Sequence, residues 1–87
     1  MVKGSTYYSK FQSAPSIDLA AYSGSWKLTS NGNVIDGFFG TLSKTGGYYE
    51  LTFQTATLPY GIYRLECFNT FPDGYIECFN DETFEIN

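Results

Sequence analysis

Residues that break regular structure come at short, even intervals along this chain: Asn31-Gly32, Gly46-Gly47, Leu58-Pro59-Tyr60-Gly61 and Pro72-Asp73-Gly74. Between them the apolar residues recur at a spacing of two, and no stretch sustains the helical spacing of three and four. A chain cut this often has no room for helices of ordinary length, so the pattern dictates an all-β fold.

The strands follow from the alternation. Tyr22, Gly24, Trp26 and Leu28 share one face of a strand that ends near residue 30, where Asn31-Gly32 suits a tight turn because both residues tolerate positive φ. Phe38 to Lys44 and Tyr48 to Gln54 flank Thr45-Gly46-Gly47, and a two-residue Gly46-Gly47 turn pairs Leu42 with Leu51 and Gly40 with Phe53. Phe38, Leu42, Tyr49, Leu51 and Phe53 then point inward. Ile62 to Thr70 and Tyr75 to Asn80 form a hairpin around Phe71-Pro72-Asp73-Gly74. If Arg64, Glu66 and Glu77 face water, then Tyr63, Leu65, Cys67, Ile76 and Cys78 face the core, with Cys67 directly opposite Cys78. A last strand over Thr83 to Ile86 adds Phe84 and Ile86 to the interior. Residues 1–15 read as an N-terminal arm or edge strand, with the strand over Thr6 to Gln12, and residues 16–87 as the sandwich domain.

Only one core fits in 87 residues, so any activity sits on a single small scaffold. Nine acidic against five basic residues give a net charge of −4, which opposes binding to a polyphosphate backbone; nucleic acid is not an expected partner. No segment has the length and apolarity to span a bilayer, and Met1 to Ser16 lacks the apolar stretch of a secretory signal, so synthesis in a cytoplasm is expected. With two Cys and no His, neither a disulfide scaffold nor a four-ligand zinc site is expected.

The order of motifs resembles a family of small immunoglobulin-like domains found in phage baseplate, tail-fibre and head proteins. The resemblance runs over about residues 17–86: Ile17-Asp18-Leu19-Ala20-Ala21-Tyr22 before the first core strand, Trp26-Lys27-Leu28 followed by Ser30-Asn31-Gly32-Asn33, Leu58-Pro59-Tyr60-Gly61-Ile62-Tyr63 running into Arg64-Leu65-Glu66, Pro72-Asp73-Gly74, and Thr83-Phe84-Glu85-Ile86. It implies an immunoglobulin-like antiparallel β-sandwich of about seven strands and a place in a virion, with no catalytic residue to carry over. The chain departs from that family in its two Cys and in its load of outward aromatics.

Aromatics make up 20% of the chain, more than one small core needs. Alternation that buries Tyr63, Leu65 and Cys67 exposes Ile62 and Phe68, and brings Tyr75 and Phe79 out on the paired strand. Tyr7, Tyr8, Phe11, Phe39, Tyr48, Tyr60 and Phe71 join them as candidates for the outward set. Apolar area of this kind in water marks a docking or self-assembly surface, centred on Phe68, Tyr75 and Phe79. Cys67 and Cys78 are either a cross-strand disulfide or two small buried hydrophobes. A Cys nucleophile lacks a basic neighbour. Glu66 and Glu77 read as two acids on an exposed sheet rather than a glycosidase pair, and Asn80-Asp81-Glu82 as an acidic loop without the ligand density of a calcium site.

The expected function is therefore that of a non-enzymatic virion protein without cofactor: a capsid decoration or accessory protein docking on major capsid or tail proteins, with self-association of the chain left open. A tail, neck or baseplate assembly module is the first alternative. The second is a glycan-binding module at the host surface, which requires an exposed aromatic beside polar groups. Deleting residues 1–15 is expected to weaken docking without unfolding the sandwich.

Overall fold

The structure is a computed structural model that describes residues 1–12 and 19–87. Ile17 and Asp18, the start of the first landmark, and residues 13–15 lie outside the described residues. Seven strands follow in order: β1 (Thr6–Gln12), β2 (Ser23–Ser30), β3 (Asn33–Thr41), β4 (Ser43–Thr45), β5 (Tyr48–Gln54), β6 (Gly61–Thr70) and β7 (Ile76–Ile86). A 3-10 turn, Leu19–Ala21, precedes β2. The strands form a three-stranded sheet ordered β1-β5-β4 and a four-stranded sheet ordered β3-β2-β6-β7, every ladder antiparallel. The fold is an immunoglobulin-like antiparallel β-sandwich. With β1 taken as the B strand, the two orders are those of the B-E-D and C′-C-F-G sheets of an immunoglobulin domain.

Alternation sets which side chains meet between the sheets. Leu28, Leu65, Cys67 and Tyr63 come from the four-stranded sheet and Tyr49, Leu51 and Phe53 from the other, with Leu42, Leu58 and Ile86 closing the ends. Burying each aliphatic side chain fully contributes about 1.5–3 kcal/mol, so these few residues dominate the favourable side of folding. Phe53 is the hub of the aromatic layer: Tyr7 stacks on it at 4.7 Å, Trp26 stacks at 5.4 Å and Phe38 meets it edge-on at 5.8 Å.

The tight turns form where their residues demand. Asn31 (φ 53°) and Gly32 (φ 80°) join β2 to β3, and Gly46-Gly47 joins β4 to β5 with Thr45 opposite Tyr48. The strand expected over Phe38 to Lys44 is, however, split between the sheets. Gly40 pairs with Trp26 and not with Phe53, Leu42 N–H donates to the Gly24 carbonyl at 2.9 Å, and only Ser43 to Thr45 pair with β5. Leu42 is the hinge, fixed by its own burial.

Of the two alternatives for the N-terminus, Thr6 to Gln12 adopts the edge strand, in register from Thr6 opposite Gln54 to Gln12 opposite Tyr48. Tyr7 and Phe11 pack on the core from it. Before β1, residues 1–3 lie against the end of β7: Lys3 N–H donates to the Asn87 carbonyl at 3.0 Å and Asn87 N–H to the Met1 carbonyl at 2.9 Å, the bond pattern of a parallel pair. Truncation through residue 15 would thus remove core side chains along with the terminal strand.

Candidate functional site

The hairpin between β6 and β7 decides which residues the four-stranded sheet shows to solvent. Phe71 N–H donates to the Tyr75 carbonyl at 2.8 Å and Gly74 N–H to the Phe71 carbonyl at 2.9 Å, so the loop is the three residues Pro72-Asp73-Gly74. A turn followed by Gly74 in the left-handed region (φ 93°) closes such a loop, and the Asp73 carboxylate accepts from Tyr75 N–H at 3.0 Å. The loop is one residue shorter than the four residues Phe71 to Gly74 expected from the sequence. One residue fewer shifts the register by one, and a one-residue shift turns every side chain over.

Phe68 therefore faces Cys78 and Thr70 faces Ile76 on the outer surface of the sheet. Ile76 and Cys78, expected in the core, are exposed. A bulge then restores the inward phase: the ladder jumps between Cys67 and Phe68 so that Cys67 lies opposite Asn80, and Phe79, the extra residue, turns inside. Phe79 meets Phe11 edge-on at 5.4 Å and stacks on Tyr49 at 5.7 Å. It is a core aromatic and not part of an outer surface. Beyond the bulge β7 continues without a break, so Asn80-Asp81-Glu82 is strand and not an acidic loop.

The other candidates divide by the same alternation. Tyr7 and Phe11 face inward, while Tyr8 and Phe39 are exposed and Phe68 and Phe71 half-buried. Tyr60 and Ile62 are exposed at the opposite end of β6. Tyr75 is exposed and meets Phe71 at 5.4 Å, which in turn lies 5.2 Å from Tyr22. What the structure brings together is thus Phe68, Ile76 and Cys78 on the outer face of the sheet, whereas Phe71 and Tyr75, the next pair along the ladder, lie on the opposite face beside Tyr22. Ile76 is 60% exposed. Facing the patch across β2 are Ser23 and Ser25, so this end of the sheet face carries no charge. Charge begins one row away, where Lys27 lies opposite Glu66 and Glu66 opposite Asp81. The Lys27 ammonium lies 5.6 Å from the Phe68 ring centre and borders the patch. Ile76 and Cys78 were missed by the sequence reading; the type I turn signal of Pro-Asp followed by Gly allowed the three-residue loop that exposes them.

Titratable groups in this half of the molecule are held by the core or by each other. Burial pushes the Cys67 thiol up to about 12, helped by the negative Glu82, whereas Cys78 lies exposed; both are free thiols. Tyr7 donates its hydroxyl to Glu82, and burial with that bond raises its pKa well above the usual phenol value. Arg64 makes a two-pronged ion pair with Asp81 at 2.8 and 2.6 Å, which holds the Asp81 carboxyl below its ordinary range. Glu66 lies opposite Asp81 and Glu77 opposite Asn69, so the two glutamates that might have formed an acid pair are not ladder partners. No family model matches the chain, and no curated protein or solved structure is significantly similar to it.

Proposed function

We propose that this chain is a non-enzymatic structural part of a bacteriophage particle, an accessory or decoration subunit that docks on other virion proteins through the uncharged end of its four-stranded sheet. The observation that carries this reading is the patch itself: Phe68, Ile76 and Cys78 side by side on the outer face of the sheet. Docked apolar side chains of this size contribute about 1.5–3 kcal/mol each when fully buried, part of which offsets the lost freedom of the subunit. A modest contact repeated over many copies suffices for a decoration role. The resemblance of the motif order to phage immunoglobulin-like domains supplies the virion context.

Mass spectrometry of purified particles, quantified against the major capsid protein, tests it. A copy number of the order of hundreds identifies a shell subunit, since shell symmetry multiplies each contact. A few dozen copies or fewer moves the protein to the neck, tail or baseplate, and absence overturns the virion reading. Replacing Phe68 and Ile76 together by Ser is expected to abolish incorporation while the circular dichroism spectrum stays unchanged. Normal loading of that variant would remove the patch from the docking role.

A further inference from the structure

The wall of the sandwich opens where β4 stops. β5 is paired along its whole length with β1, but on its other side only Tyr48, Glu50 and the intervening Tyr49 have partners in β4. Among the described residues nothing pairs with β5 beside Leu51 to Gln54, because the chain has crossed at Leu42 to the other sheet. The result is a groove of about 240 Å³, lined by Tyr8, Trp26, Thr41, Ser43, Glu50 and Thr52. The two-residue Gly46-Gly47 turn makes Tyr48 and Glu50 the hydrogen-bonded partners of β4, and antiparallel alternation then turns the peptide groups of Thr52 toward the same opening.

The lining has a definite chemistry. Two aromatic rings stand beside four short hydroxyl side chains, counting Thr45 at the rim, and one carboxylate; no Lys or Arg lines the groove. Trp26 is held by its stack on Phe53, with the rings 7° from parallel, so its orientation is set by the core. Glu50 accepts from the Tyr8 hydroxyl at 3.0 Å. Thr45 and Tyr8 together hold its carboxyl below the ordinary range, which leaves a fixed, ionised acceptor at neutral pH. An anionic ligand meets that carboxylate and the net charge of −4. The volume lies just under the roughly 300–1,000 Å³ of pockets that bury drug-sized ligands, which matches a single ring better than a chain. An extended peptide is disfavoured by the short open edge of four residues, 51–54.

We propose that this groove binds a neutral saccharide, one sugar ring seated against Trp26 and Tyr8 with its hydroxyls shared among Glu50, Thr41, Ser43 and Thr52. The C–H face of the ring packs on the aromatic side chains. Its hydroxyls donate to Glu50 and accept from the threonines and the serine, as each group's chemistry requires. These residues are separate from the docking patch, so either assignment can fail without the other.

Trp26 is the only tryptophan of the chain, so its fluorescence reports on the groove directly. The full chain would be titrated with glucose, galactose, N-acetylglucosamine and glucuronate, following Trp26 emission and backbone amide shifts. The expected result is a saturable response to at least one neutral sugar in the millimolar range, amide shifts at Thr41, Ser43, Glu50 and Thr52, and none with glucuronate. Glu50→Gln and Tyr8→Ala are each expected to weaken binding roughly tenfold while the fold, checked by circular dichroism, is kept. Absence of a response to all three neutral sugars, equal binding of glucuronate, shifts confined to another surface, or unchanged affinity in both variants would overturn it.

Discussion

Tyr49 occupies the space that a side chain at residue 24 would need: a Cβ built on Gly24 stands 2.5 Å from Cε1 of Tyr49. The two residues belong to opposite sheets, so the ring is pressed against the backbone of β2. From there it donates its hydroxyl to Asn69 at 2.7 Å and stacks on Phe79. A glycine within a strand is usually a weakness, and here it is the condition for seating a buried tyrosine.

Gly24→Ala should therefore force the Tyr49 ring to move and destabilise the domain by about 2 kcal/mol, as overpacked cores do. Tyr49→Phe keeps the ring and loses one hydrogen bond, at a cost of about 1 kcal/mol. Urea unfolding of the two variants gives the order. A Gly24→Ala variant as stable as the parent would show that the ring has somewhere else to go.

Tyr7 links the first strand to the rest through its stack on Phe53 and its bond to Glu82. Tyr7→Ala is expected to lower stability by about 3 kcal/mol and Tyr7→Phe by about 1 kcal/mol. Removal of residues 1–12 should abolish the dispersed amide spectrum, because Phe53 and Phe79 both lose a ring partner. A folded spectrum after that deletion would make the strand dispensable.

The two thiols should behave as different chemical species. Iodoacetamide at pH 8 is expected to label Cys78 alone, since the reactive form is the thiolate and burial keeps Cys67 protonated. Both should react in denaturant. Intact mass without reductant should show two thiols; a mass lower by two hydrogens would restore the cross-strand disulfide and require a different register.

Alkaline pH should unfold the domain before acid does. Cys67, Tyr7 and Tyr49 all have pKa values raised by burial, so the stability they contribute is complete below their unfolded values. That stability is lost as pH rises from about 9, the ordinary thiol value, toward about 12, the folded value for Cys67. On the acid side Glu50 and Asp81 are depressed, so their contribution is present above the ordinary carboxylate range and lost as pH falls through the folded values. Both are surface groups, and this loss should be small. Melting temperatures from pH 3 to 11 would check the asymmetry, with Cys67→Ala flattening the onset of the alkaline limb.

The sequence carried most of the fold because its turns are chemically specific. Asn31-Gly32 and Gly46-Gly47 each admit one tight geometry, and the pairs beside them, Ser30 with Asn33 and Thr45 with Tyr48, fall into register with it, although the β2–β3 ladder shifts further on between Lys27 and Thr29. Pro72-Asp73-Gly74 was ambiguous by one residue, and that residue decided the exposure of Ile76 and Cys78. The Phe79 bulge left no local mark, because the break in alternation, Phe79 and Asn80 both turning inward, shows only against the partner strand. Nor does Leu42 announce that the chain changes sheets there; only the packing of both sheets shows it. The groove was invisible for the same reason, since a vacancy beside β5 belongs to pairing and not to composition. Its outward Ser43, Thr45, Glu50 and Thr52 were nonetheless present as the polar half of the alternation.

Residues 1–3 run beside residues 85–87 in the same direction, joined by main-chain bonds on both sides of Val2. Tension applied to the chain from its two ends would pull these neighbouring segments past each other along their length. Bonds loaded in that way must break together rather than one after another. A domain under load would hold at its terminal strands first, and its mechanical strength would exceed what its small core alone would give.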